Sequence, residues 1–127
     1  MPTKQETFDT VAKHLLTQNA KAKGEGFCGA TTCMYRAPDG KQCAAGCLIP
    51  DDRYTPELER NSVMCHSGDG VGRPFKVGEL IIELGHDLQL VYELQRVHDY
   101  YQPEEWPNYL RGLARDFGLS TEVLDNA

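Results

Sequence analysis

The feature that most constrains the fold lies at the start of the chain. Thr3-Lys4-Gln5-Glu6 reads as a capping box, in which the Thr hydroxyl and the Glu carboxylate each satisfy a backbone N–H at a helix start. Phe8, Val11, Ala12, Leu15 and Leu16 then recur at helical spacing, so one face is apolar and needs a core to pack on. The pattern predicts an amphipathic helix over residues 4–22, ended by Gly24 and Gly26.

The C-terminal half supplies partners for that face. Val77, Leu80, Ile81 and Leu84 mark a second helix, closed by Gly85. Asp87 is placed to cap a third, with Leu90, Leu94, Val97 and Tyr101 as its buried stripe. Pro103 suits the first turn of a further helix, but Pro107 falls late for that and moves the start toward Trp106. Trp106, Leu110, Leu113, Ala114 and Phe117 carry this helix to Gly118, and Ser120-Thr121-Glu122 caps a last turn. Helices are therefore expected over 77–124.

Between these halves the pattern changes. Cys33-Met34-Tyr35-Arg36 and Gln42-Cys43-Ala44-Ala45 flank Ala37-Pro38-Asp39-Gly40-Lys41, and Pro-Asp-Gly is turn chemistry. A cysteine-rich β-hairpin is predicted over 33–50, stopped by Pro50-Asp51-Asp52. Thr55-Pro56-Glu57 starts a short helix, and residues 61–74 form a glycine-rich loop. At 127 residues the chain fits one domain with one core. The expected fold class is α+β: a mainly helical single domain over 1–127 with one small β-hairpin.

The formal net charge of −6 is unevenly spread. Residues 1–23 carry +2, residues 24–76 carry −1, and residues 77–127 carry −7, with Arg96, Arg111 and Arg115 against ten carboxylates. This opposes direct nucleic-acid binding, which draws its affinity from neutralising phosphates. An acidic half suits a basic protein surface, the imitation of a phosphate backbone, or a solvated face. No apolar run approaches the roughly 20 residues of a membrane helix, and the polar start reads as no secretory signal. Five cysteines, an odd count, then point to reduced thiols in a cytoplasm.

The thiols and their neighbours are the candidate chemistry. Cys28 and Cys33 are followed by Cys43, Cys47 and Cys65-His66. Zinc takes four soft ligands, and Cys33, Cys43, Cys47, Cys65 and His66 are candidate ligands, although neither close pair has the two-residue gap of a zinc knuckle. Buried thiols filling a small core are the plainer reading. A third is a reactive thiol, for which Cys43 in Cys43-Ala44-Ala45-Gly46 is the candidate nucleophile of a Cys-dependent hydrolase or transferase. Arg36 across the hairpin would favour its thiolate, and His66, His86 and His98 are available as bases by type. His14, on the polar side of the first helix, reads as surface.

A binding site is the alternative to catalysis. Gly68, Gly70 and Gly72 before Arg73 and Lys76 can present N–H groups and positive charge to a phosphate, though the loop matches neither nucleotide-binding fingerprint. With Tyr35, Arg36 and Cys43 on the hairpin, these residues form a candidate face for a small phosphorylated ligand or a protein. Tyr92, Tyr100, Tyr101, Trp106 and Tyr109 are helix-contact residues of which an exposed subset suits a protein-binding patch.

Cys33-Met34-Tyr35-Arg36 with Cys43-Ala44-Ala45-Gly46-Cys47-Leu48-Ile49-Pro50-Asp51 resembles a group of small bacteriophage and bacterial proteins with no assigned activity. The likeness covers about the first 60 residues and implies a phage-like origin but no catalytic residue. In that context the expected function is an intracellular accessory protein, not an enzyme, that engages a host protein (host-defence inhibition among the possibilities) or a small phosphorylated ligand. A zinc-stabilised module and a Cys-dependent enzyme are the alternatives.

Overall fold

The computed structural model describes residues 2–25, 31–60, 64–66, 72–74 and 76–125. Helix α1 spans Lys4–Gln18 and opens with the expected capping box: Glu6 N–H donates to Thr3 Oγ1 and Thr3 N–H to Glu6 Oε1. It stops four residues before the expected end. Asn19 takes the left-handed conformation at φ 49° and donates its N–H to the Leu15 carbonyl, so the side chain best able to tolerate that backbone ends the helix before the glycines do.

Strands β1 (Lys23–Glu25) and β2 (Thr31–Cys33) pair antiparallel, as do β3 (Met64–His66) and β4 (Gly72–Pro74), each three residues long. The second pair places two short strands inside the expected loop 61–74. A 3-10 turn covers Gly46–Leu48 and another Pro56–Arg60. Helices α2 (Lys76–Glu83), α3 (Leu88–Tyr100), α4 (Trp106–Phe117) and α5 (Glu122–Asp125) follow, with a 3-10 turn at Pro103–Glu105 leading into α4.

The helix ends are locally encoded. Asp87 caps α3 by accepting the Leu90 N–H at 2.8 Å. Gly85 (φ 94°) and Gly118 (φ 69°) close α2 and α4 in Schellman geometry: His86 N–H reaches the Ile81 carbonyl, and Leu119 N–H the Ala114 carbonyl.

Two apolar clusters share α3. In one, Phe8, Val11, Ala12 and Leu15 of α1 meet Leu90, Leu94 and Val97 of α3 and Trp106, Leu110, Leu113 and Ala114 of α4. In the other, Ala22, Tyr35, Ala37, Cys43, Ala45 and Ile49 pack with Leu58, Val77, Leu80, Ile81 and Val91. Described core residues thus come from helices and from the irregular segment between α1 and α2.

The α+β expectation is corrected accordingly: the chain is a single helical domain, and the hairpin predicted over 33–50 does not form. Beyond Cys33 that segment contributes no strand, only one isolated bridge, Arg36 to Gln42. The Pro38-Asp39-Gly40 turn does exist, with Gly40 at φ 91° and its N–H on the Ala37 carbonyl. Pairing goes no further than the bonds from Ala37 N–H to the Lys41 carbonyl and from Cys43 N–H to the Tyr35 carbonyl: the Tyr35 N–H that would return to Cys43 goes to Glu59, and Gly46–Leu48 coils into a 3-10 turn.

Candidate functional site

The segment expected to be an open binding hairpin is tied down from several directions. The Glu59 carboxylate accepts the Tyr35 N–H at 2.7 Å and the Arg36 N–H at 2.9 Å, and also takes the Tyr54 hydroxyl proton in a hydrogen bond. Burial, with Glu59 beside it, pushes the Tyr54 phenol up to about 12. Arg36 donates to the Ile49 carbonyl at 2.8 Å, pairs with Asp51 at 2.7 Å and lies over the Tyr54 ring at 4.7 Å. Its Nη2 is committed to this loop, while its Nε is buried with no hydrogen-bond partner among the described residues. Tyr35 is buried, and desolvation raises its phenol far above the ordinary range.

Cys43 is fully buried, and burial holds its thiol well above the usual value. Its sulfur accepts the Gly46 N–H at 3.3 Å. One turn on, Cys47 donates its S–H to the Ala44 carbonyl at 3.1 Å, and burial pushes this thiol up to about 12. A nucleophilic cysteine needs thiolate and an adjacent base, and the environment of Cys43 works against the first. The small residues around it serve a different approach: a Cβ on Gly46 would sit 1.9 Å from the Tyr35 carbonyl oxygen, so they admit a second backbone.

The described histidines are engaged elsewhere. His14 donates from Nε2 to the Gln42 carbonyl at 2.8 Å, which Gln18 also reaches at 2.9 Å, so it anchors the turn segment to α1 and is not free surface. His86 Nδ1 and Thr7 Oγ1 share a hydrogen bond of 2.7 Å. His98 is fully buried, stacked on Trp106, and accepts the Ala22 N–H on Nε2 at 3.0 Å. The ring proton is thereby on Nδ1, where it donates to Asp99 at 2.7 Å.

A buried polar relay that sequence spacing did not reveal runs beside Cys43. Gln95 of α3 accepts the Ala45 N–H on Oε1 at 2.9 Å and donates to Asp99 at 2.9 Å, while Asp99 holds His98. Gln95 and His98 thus secure the irregular segment to α3, and Glu59 ties that segment to itself.

The candidate zinc set is not assembled among the described residues: no group of three or more His, Cys, Asp or Glu side chains stands ready to hold a metal. Cys43 and Cys47 are free thiols. The side chains of Cys33, Cys65, His66 and Arg73, together with Cys28, Gly68 and Gly70, lie outside the described residues. Lys76 is exposed and stands 3.8 Å from Glu57. No described helix is long and apolar enough to cross a membrane.

One open feature lies between α3 and α4, and a wider, shallower one on α1 is lined by Thr10, Lys13, His14, Thr17 and Gln18. A cleft of about 250 Å³ is lined by Glu93, Arg96, Tyr101, Tyr109, Gly112 and Asp116, among others. Tyr101 and Tyr109, both in its lining, stack with centroids 3.5 Å apart near the short 101–105 connection between the helices. Arg96 leans over Tyr92 and Tyr100 at 5.9 and 5.6 Å and stands 3.8 Å from Glu93. Tyr100 and Tyr109 are 69% and 41% exposed, two of the three exposed large hydrophobic side chains among the described residues.

No protein-family model, curated protein or solved structure matches this chain.

Proposed function

We propose that this protein is a non-enzymatic binding module that engages a basic protein surface through the exposed tyrosines of α3 and α4 and the acidic segments that flank these helices. The observation that carries the reading is the exposure of Tyr100 and Tyr109 beside an open cleft, while Tyr35 and Cys43 are covered. Exposed tyrosines supply large amphipathic contact area at low entropic cost and are enriched at protein interfaces. The charge of −7 over residues 77–127 favours a basic partner; within α3 and α4 Glu93, Asp99 and Asp116 are matched by Arg96, Arg111 and Arg115, so the excess sits on the segments that flank them. In the phage-derived, cytoplasmic setting that residues 33–51 resemble, that partner is a host protein. The covered state of Cys43 and the commitments of His14, His86 and His98 weigh against a thiol enzyme.

The test is fluorescence anisotropy with labelled hexa-lysine and hexa-glutamate peptides at low and physiological salt. The reading expects the basic peptide to bind, binding to weaken with salt, and Tyr100→Ala with Tyr109→Ala to weaken it at least tenfold while the thermal melt holds. Equal binding of both peptides, or tyrosine variants that bind as the parent does, would overturn it.

A further inference from the structure

Gly112 sits in the middle of α4, and a Cβ built on it meets nothing within 4 Å. Its φ is not in the left-handed region and no neighbour presses on it, so neither of the usual structural reasons for glycine applies. A mid-helix glycine nonetheless weakens a helix relative to alanine. Its consequence is empty space in the floor of the α3/α4 cleft.

From this space, and resting on the reading above, we infer that the cleft is a side-chain pocket for an arginine of the basic partner. The cleft volume, about 250 Å³, falls below the roughly 300–1,000 Å³ of sites for whole small ligands, which suits one long side chain. Tyr101 and Tyr109 form an aromatic wall at one end. Glu93 on α3 lies two turns back from Tyr101, and Asp116 on α4 two turns on from Tyr109, so the carboxylates gather at the other end. Arg96 offsets Glu93 and is turned toward Tyr92 and Tyr100, which leaves the exposed Asp116 to meet an incoming cation.

A planar guanidinium matches this set better than an ammonium. It stacks on tyrosine faces and binds a carboxylate through two parallel N–H bonds, whereas lysine offers a compact, strongly hydrated point charge. The protein already holds a guanidinium in this manner, with Arg36 over Tyr54 and on Asp51. A phosphate or nucleotide would instead meet two carboxylates against one cation, Arg96, which already stands beside Glu93.

Anisotropy with labelled hexa-arginine beside hexa-lysine, on the parent, Gly112→Leu and Asp116→Asn proteins, tests the pocket. The expected result is at least fivefold tighter binding of hexa-arginine, a preference lost in Gly112→Leu with its melting temperature retained, and reduced in Asp116→Asn. If both peptides bind the parent equally, the arginine pocket is overturned while the basic-surface reading stands. If neither peptide binds, the basic-surface reading falls first and the pocket with it. Displacement of hexa-arginine by millimolar AMP, or dimerisation of the free protein that Gly112→Leu abolishes, would give the cleft to another occupant and likewise overturn the inference.

Discussion

Gly46 lies directly under the backbone carbonyl of Tyr35, so close that a Cβ on Gly46 would stand 1.9 Å from that oxygen and 2.7 Å from its carbon. This contact brings the 3-10 turn at Gly46–Leu48 against the bend at Tyr35, and the Gly46 N–H donates to the buried sulfur of Cys43. The obstructing atoms are backbone, with no flexible side chain to swing aside. Gly46→Ala is therefore expected to destabilise the fold by at least about 1–3 kcal/mol, the usual cost of overpacking a filled core, read as a lower urea midpoint. An unchanged midpoint would mean that the two backbones separate without cost.

Glu59 gives the second prediction. Its carboxylate accepts the N–H groups of Tyr35 and Arg36 and the hydroxyl of Tyr54, so three donors converge on one side chain. Hydrogen bonds to a charged acceptor contribute about 1.5–3 kcal/mol, and orphaned donors add a desolvation cost. Glu59→Ala should cost about 3 kcal/mol in urea unfolding, and Glu59→Gln less, since one amide oxygen can still accept. Equal costs for the two variants would show that carboxylate charge, and not acceptor geometry, holds the segment.

The helices were legible in the sequence because their determinants are local. Thr3 with Glu6, Asp87, Gly85 and Gly118 act on backbone groups within a few residues, and the stripes of α1, α3 and α4 follow the helical period. The segment after α1 was not legible, for a physical reason. The Pro38-Asp39-Gly40 turn is real, but whether a turn grows into a hairpin depends on where the flanking N–H groups find acceptors. Here Glu59 and Gln95, distant in sequence, take the N–H groups of Tyr35 and Ala45, and the pairing stops at the single Arg36–Gln42 bridge. For the candidate site, residue type picked out the aromatic set around Tyr100 and Tyr109, but the covering of Tyr35 and Cys43 depends on packing that no local pattern encodes.

The buried thiols set a pH limit. Cys47 is raised from 9.0 in the unfolded chain to about 12 in the folded one, and Cys43 is raised as well, both by burial. A raised folded value means the native state keeps its proton where the unfolded state has lost it. The associated stability is whole below about pH 9 and declines as pH rises toward 12, by about 1.4 kcal/mol per pH unit for each such thiol. His86 acts at the other end: burial lowers it from 6.5, so the unfolded state takes the proton first and stability falls as pH drops below that value. Urea midpoints at pH 8 and pH 10 should differ markedly in the parent and less in Cys47→Ala. A pH-independent midpoint over that interval would mean that Cys47 is solvated in the native state.

Gly112 offers the opposite expectation to Gly46, from the same kind of substitution. In α4 the Cβ of an alanine enters open space, and the backbone is already helical. Alanine recovers the intrinsic helix preference that glycine lacks and restricts the unfolded chain, together about 0.5–1 kcal/mol. Gly112→Ala should raise the melting temperature while reducing the space in the α3/α4 cleft, so stability and binding would move in opposite directions. A gain in stability with hexa-arginine binding weakened would mean that the glycine is kept for the cleft and not for the fold. A loss of stability would show instead that Gly112 answers a packing demand of α4 itself.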